Sequence, residues 1–292
     1  MKVIIYGLGA HFSKYEEFVL ENFEVIGYID KNREHPVLKK YELDDVKSIL
    51  DDAKVMITST AYFAEMMQEL SEKGIGMQQI CYMDNEIARK RLDKPFYSYS
   101  QFGEDYVIAG LLGDVDYSKV KYLEMGVDNP IVGNNTYGLE LRGATGWLVE
   151  ANTQMIQCIE LCRPKCEVLN RAVVLENDDR EEVSFFVADN SALSSLDPNT
   201  VAENDGAVVR EIVVKSITLK KLLDTIGDID VLSIDLEGID RELLLSTSFN
   251  GKGPKIICAE TRETDVELVK HMEEESYTLE FMNGVNAIWK KK

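Results

Sequence analysis

The 292-residue sequence has little proline, little histidine and too few cations to balance its acids. Six prolines and the lack of a low-complexity tract exclude a collagen-like or polyproline chain. The three histidines, His11, His35 and His271, stand at no metal-ligand spacing. Against 52 acidic residues there are 32 lysines and arginines, a formal net charge of −20. That charge repels nucleic-acid phosphates and anionic lipid, so no nucleic-acid partner is expected. No apolar run reaches the roughly 18 residues that a membrane-spanning helix needs, so no membrane span is expected. The opening MKVIIYGLGAHFSKYEEF turns polar after a few apolar residues and does not read as a secretory signal. The five cysteines (81, 158, 162, 166 and 258) are an odd number, which fits a reducing, cytoplasmic location.

What is present is an α/β pattern in two parts. Residues 2–6 (KVIIY), 24–29 (EVIGYI), 54–58 and 79–82 read as strands, because they are apolar and rich in β-branched side chains. Helical patterns fall between them, over 10–20, LDDVKSILDD and AYFAEMMQELSEKG. Strand alternating with helix predicts a small Rossmann-like domain with a parallel sheet over 1–92. ARKRLDK and Pro95 mark a linker at 88–96. A second series follows over 97–292. Its strand candidates are 121–126, 146–151, 166–174, 183–188, 231–236, 255–261, YTLEFM and NAIWK, with helices at 153–163, 216–226 and 264–275. The polar stretch 189–211 reads as a long loop suited to a lid.

Gly7 and Gly9 follow the first strand, where a dinucleotide fold turns tightly beside a pyrophosphate. Asp30 ends the second strand, where an acid would accept hydrogen bonds from a ribose. The third glycine is replaced by Phe12. A nucleotide at Gly7, Gly9 and Asp30 and a purely structural turn both remain open. Tyr117 and Lys121 spell the Tyr-x-x-x-Lys of dehydrogenases, but just before a strand and in the other half, so the match is read as chance.

The second half carries more chemistry. A strand ends in Glu124-Met-Gly126, and the next ends in Glu150. Gly126 lets the backbone approach a ligand at the carboxyl edge of the sheet. Glu150 can accept both hydroxyls of a ribose, and the neutral Asn129, Asn134, Asn135 and Thr136 can bond a zwitterionic amino-acid tail. No Gly-Lys-Ser/Thr is present to hold a triphosphate. An adenosyl ligand without phosphates suits this set.

Five blocks, in order, resemble the FkbM-type S-adenosylmethionine-dependent methyltransferases: YSQFGEDYVIAGLL, YLEMGVDNPIVGNNTYGLELRG, GWLVEANTQMIQCIELCRP, DVLSIDLEGIDRELLLSTSF and PKIICAET. They cover about residues 97–262. The resemblance implies a seven-stranded Rossmann-like methyltransferase fold, S-adenosylmethionine as cofactor, and a small-molecule or glycan hydroxyl as acceptor, often on a sugar in polysaccharide or natural-product biosynthesis. It places Glu124, Gly126, Asp128 and Asn129 at the methionine end of the donor, with Asn135 and Thr136 completing that loop. Glu150 falls on the ribose, Asp189 and Asn190 near the adenine, and Asp235, Glu237 and Glu260 at the acceptor as catalytic candidates. The chain departs from the family pattern at Glu124, where aspartate is usual, at Val127-Asp128-Asn129 in place of Ala-Asn-Asp, and at Ala151 in place of proline.

Asp235 is the first candidate base and Glu260 the second. The same three carboxylates could instead hold a divalent cation, since hard cations take oxygen ligands. Glu237-Gly238 also reads as a helix-start turn. Cys158 and Cys162 read as packing one helix face. A degenerate, non-catalytic module binding a nucleotide or nucleotide-sugar is the alternative to an active methyltransferase.

Overall fold

The computed structural model describes residues 1–50, 52–59, 61–91, 98–261 and 265–292. The chain divides into two compact units, Met1–Tyr97 with Gln157–Pro164, and Ser98–Ile156 with Lys165–Lys292. The second half of the expected linker, with Pro95, lies outside the described residues.

The first unit holds β1 (Lys2–Tyr6), α1 (Ala10–Asn22), β2 (Glu24–Ile29), β3 (Ala53–Ile57), α2 (Phe63–Glu72), β4 (Ile80–Tyr82) and α3 (Met83–Arg91). The strands form a parallel sheet in the order β2-β1-β3-β4. A parallel strand is covered on both faces, which is why β1 is a near-continuous apolar run with Val3, Ile4 and Ile5 fully buried. LDDVKSILDD does not make an α-helix. Its residues Leu43–Ile49 form a 3₁₀ helix in which only Val46 is buried, too narrow an apolar face to hold a longer helix.

The second series holds α4 (Glu104–Leu112), β5 (Lys121–Met125), α5 (Tyr137–Leu141), β6 (Thr145–Glu150), α6 (Ile156–Cys162), β7 (Glu167–Asn170), β8 (Ala172–Val174), β9 (Glu182–Ala188), α7 (Pro198–Glu203) and β10 (Val208–Thr218). It continues with α8 (Leu219–Ile226), β11 (Val231–Ile234), α9 (Asp240–Ser246), β12 (Ile256–Glu260), α10 (Val266–Glu274), β13 (Tyr277–Met282) and β14 (Asn286–Lys291). Nearly all of α6 groups with the first unit, and Cys158 and Cys162 are buried on it.

Seven strands form one mixed sheet, β13-β14-β12-β11-β5-β6-β7. Only β14 runs against its neighbours. From β5 the chain moves outward through β6 to β7, then returns to β11 on the other side of β5. The strand order therefore reverses between β5 and β11, and the crevice outside their carboxyl ends is where open α/β sheets bind ligands. The core beneath it includes Leu123, Met125, Leu232, Ile234, Ile257 and Trp289, each at most 1% exposed.

Two stretches differ from the sequence reading. The single strand expected at 166–174 breaks at Arg171 into β7, at the edge of the large sheet, and β8, which joins a separate sheet of order β8-β10-β9. The polar 189–211 is not a structureless loop. Ser191–Leu193 make a 3₁₀ turn, the Asp197 side chain caps α7 at the amide of Asn199 with Pro198 in the first turn, and Val208 begins β10. Along β10, exposed Glu211, Val213 and Lys215 alternate with more buried Arg210, Ile212 and Val214, the period of a half-buried strand.

Candidate functional site

A cavity of about 360 Å³ opens at the strand reversal, inside the range of small-molecule sites. Its floor is set by Gly126. That residue sits at φ +78°, and its amide donates to the carbonyl of Val149 at 3.0 Å. A Cβ there would lie 1.6 Å from the backbone oxygen of Asp235. The glycine therefore serves first to let the loops after β5 and β11 touch, a packing reason that sequence reading did not foresee.

Glu150 is buried behind that loop. Its Oε2 accepts the amides of Val127 at 3.0 Å and Asp128 at 2.9 Å, and its Oε1 accepts Asn152 at 2.6 Å. A carboxylate has about four lone-pair sites; these amides take three, and Glu150 lines the cavity. Burial pushes its carboxyl up to about 7, and the charge of Asp128 adds to this against the pull of the three amides. Glu124 is similarly engaged: its Oε2 accepts Asn134 Nδ2 at 3.0 Å and the Thr136 hydroxyl at 2.8 Å. Asn129 and Asn134 use their side-chain oxygens on backbone amides two and three residues ahead, at 131–132 and 136–137. Asn135 donates across the sheet end to the Ser233 hydroxyl at 3.2 Å. Asp128 stands at φ +42°. Burial raises its carboxyl above the usual range, while a hydrogen bond with the Ser191 side chain opposes the shift.

Of the residues singled out in the sequence, Glu124, Gly126, Asp128, Asn129, Asn135 and Glu150 line the cavity, as do Asn190, Asp235 and Glu237. Three do not. Thr136 lies beneath the floor, holding Glu124. Asp189 is exposed, and its carboxylate accepts the amides of Asn190 at 2.9 Å and Ala207 at 3.0 Å. Glu260 stands on an adjoining cleft that shares Glu237. Asp235, Glu237 and Glu260 nevertheless bring carboxylate oxygens within 4.8 Å of one another. Burial and the charges of Asp240, Glu237, Glu260 and Asp128 hold the Asp235 carboxyl well above the usual range. Burial, then Glu260, Asp240 and Asp128, push Glu237 up to about 7.

Sequence reading missed Gln101, Arg171 and Phe185, which also line the cavity. Arg171 carried a signal, a cation inside the apolar run EVLNRAVV. In the first unit, Asp30 accepts the amides of Leu8, Asn32 and Arg33 at 2.7–2.8 Å, and Arg33 Nη1 donates to the Leu8 carbonyl at 2.8 Å. Burial opposes ionisation of Asp30, but those amides hold its carboxyl below the usual range. The acid beside Gly7 and Gly9 thus braces its own turn.

The family model described as "Methyltransferase FkbM domain" matches residues 124–280, more than half of the chain. The chain belongs to the FkbM methyltransferase family. It is an S-adenosylmethionine-dependent methyltransferase of that type. Among solved structures, it is similar to a precorrin-6y C5,15-methyltransferase from Geobacter metallireducens at 13% identity, over 64% of this chain and 86% of that one, with a TM-score of 0.37. It is also similar to a TehB-like SAM-dependent methyltransferase from Corynebacterium glutamicum at 13% identity, over 72% and 98%, with a TM-score of 0.34. A third similar structure is the mitomycin 7-O-methyltransferase MmcR, at 10% identity over 80% and 61%, with a TM-score of 0.32. No curated protein matches the chain.

The residues present fit the family's cofactor. Glu124, Asp128, Glu150, Asp235 and Glu237 put five carboxylates on the cavity wall against one cation, Arg171, among the described residues. That balance suits a sulfonium with an amino-acid tail and opposes an anionic dinucleotide. Val173, Phe185, Leu193 and Leu196 supply an apolar wall for a flat base.

Proposed function

We propose that this FkbM-type enzyme methylates a hydroxyl, on a sugar of a glycan or natural product, in the cytoplasm. The observation that carries this reading is the meeting of Asp235, Glu237 and Glu260 beside a cavity suited to the donor. S-adenosylmethionine, when bound, supplies a methyl group on a sulfonium that leaves as a neutral thioether. Glu150 and Gly126 hold the loop that orients the donor, with Glu150 open to the ribose and Asn190 and Phe185 beside the base. Asp235 accepts the proton of the acceptor hydroxyl as its oxygen takes the methyl group. Its carboxyl pKa is raised above the usual carboxylate range, which makes it a stronger base than a free carboxylate. Glu237 and Glu260 keep that pKa high and accept hydrogen bonds from neighbouring hydroxyls of the acceptor.

The test is transfer of isotopically labelled methyl to a panel of free sugars and glycosides. Product stable to base, as an ether is and an ester is not, supports the reading, and transfer confined to carboxyl or amine acceptors overturns it. With an accepted sugar, Asp235→Asn is expected to lower kcat by about 10²–10⁴-fold and to leave donor affinity within about threefold. Unchanged kcat would remove Asp235 from its role.

A further inference from the structure

The cavity has one polar wall residue that no strand end supplies. Gln101 lies in the turn before α4, is exposed on the cavity, and makes no hydrogen bond to any described residue. The turn around it is fixed by buried groups. Asp105, 4% exposed, accepts the Ser98 and Ser100 hydroxyls at 2.6 and 3.0 Å and the amide of Tyr99 at 2.8 Å. Glu104, fully buried, accepts the Phe102 amide at 2.9 Å and the side-chain amides of Asn283 and Asn286 at 2.7 and 2.9 Å. Gly103 makes the bend at φ +94°.

Two buried carboxylates committed to one five-residue turn hold its backbone in a single place. What that placement delivers to the cavity is the Gln101 amide. The turn is also tied to the loop after β5: the amide of Asn134 donates to the Tyr99 carbonyl at 2.9 Å, and the Tyr99 and Tyr137 rings meet edge to face at 5.1 Å. Gln101 therefore lines the cavity together with Gly133, Asn134 and Asn135 of the loop after β5.

We propose that Gln101 binds the amino-acid end of S-adenosylmethionine, its NH₂ donating to the donor's carboxylate and its oxygen accepting from the ammonium. A primary amide carries both functions, matching the carboxylate and the ammonium of a zwitterion. Glu124 and Asn134 are already engaged with the floor of the site, so Gln101 supplies the polar contact they do not. The inference rests on the cavity being the donor site and is independent of the acceptor.

The test is calorimetric titration of the wild type and Gln101→Ala with two nucleosides, S-adenosylhomocysteine and 5′-methylthioadenosine, which lacks the amino-acid end. Gln101→Ala is expected to bind S-adenosylhomocysteine about tenfold more weakly, near the lower end of what a hydrogen bond to a charged group is worth. Its affinity for 5′-methylthioadenosine should stay within twofold of wild type. Equal weakening of both ligands would show that the residue only shapes the turn, and no weakening of either would place the amino-acid end elsewhere. Both results overturn the proposal. A wild type that binds neither nucleoside overturns the donor site itself, which is a separate failure.

Discussion

Gly126→Ala should abolish S-adenosylhomocysteine binding and cost the fold more than about 4 kcal/mol, a loss in the range reserved for core disruption. The added methyl would stand 1.6 Å from the Asp235 carbonyl oxygen and 2.7 Å from its carbon. Both obstacles are backbone, so no rotamer change relieves them. The φ of +78° adds a further penalty of about 1 kcal/mol for any residue with a Cβ. The loops after β5 and β11 would have to part by more than an ångström, and these loops carry Asp128 and Asp235. Urea denaturation followed by fluorescence, together with titration of S-adenosylhomocysteine, checks this. Gly9→Ala is the control, because its φ is −69° and nothing lies within 4 Å of the new methyl. It should shift stability by less than about 1 kcal/mol. A Gly126→Ala protein with the wild-type midpoint and affinity would refute the packing account.

Glu150→Ala is expected to reduce donor affinity at least a hundredfold. The substitution leaves the amides of Val127, Asp128 and Asn152 without their acceptor and removes the carboxylate proposed to hold the ribose. The native carboxyl titrates at about 7, against about 4.5 for the same group in the unfolded chain. Between those values the native state holds a proton that the unfolded state has released. Stability therefore falls as pH rises from about 4.5 to about 7, by about 3 kcal/mol from this group alone. Donor binding follows the opposite course, since the ionised carboxylate is the form that accepts. Affinity should weaken about tenfold from pH 8 to pH 6 and level off above 7. Glu150→Gln should flatten both profiles. A donor affinity independent of pH in the wild type, or a Glu150→Ala protein that binds normally, would count against the role given to Glu150.

The alternation of strands and helices was legible because parallel strands buried on both faces must be apolar, as KVIIY and VLSIDL are. The ends of β5, β6 and β11 followed from Gly126, Glu150 and Asp235 at the close of such runs. β10 was hidden because its lower half is edge-like, with Val209, Glu211 and Val213 exposed. Its pattern is period two within a polar stretch rather than a block of hydrophobic residues. The break at Arg171 was hidden for the converse reason: EVLNRAVV is apolar enough for one strand, and only tertiary pairing sends its two ends to different sheets. Of the site, sequence reading gave the acids but not their occupants. Nothing in the spacing of Glu124 or Glu150 reveals that backbone amides and side chains of neighbouring loops take most of their lone pairs. Gln101 was invisible because its importance comes from Glu104 and Asp105, which fix the turn, and from strands far along the chain.

The sheet β8-β10-β9 shares no strand with the seven-stranded sheet, and Ala172, Val174, Val183, Phe185 and Val214 give it a small core of its own. Phe185, Asn190, Ser191, Leu193 and Leu196, on β9 and the turn that follows it, form one side of the cavity. The opposite side, with Gly126, Glu150 and Asp235, belongs to strand ends whose geometry the large sheet dictates. The two walls therefore rest on separate sheets. Mutational drift on the small sheet can recut the pocket while the sheet that aligns the reacting groups stays constant. Insertions and substitutions should accumulate on one wall across descendants of this fold, and be purged from the other.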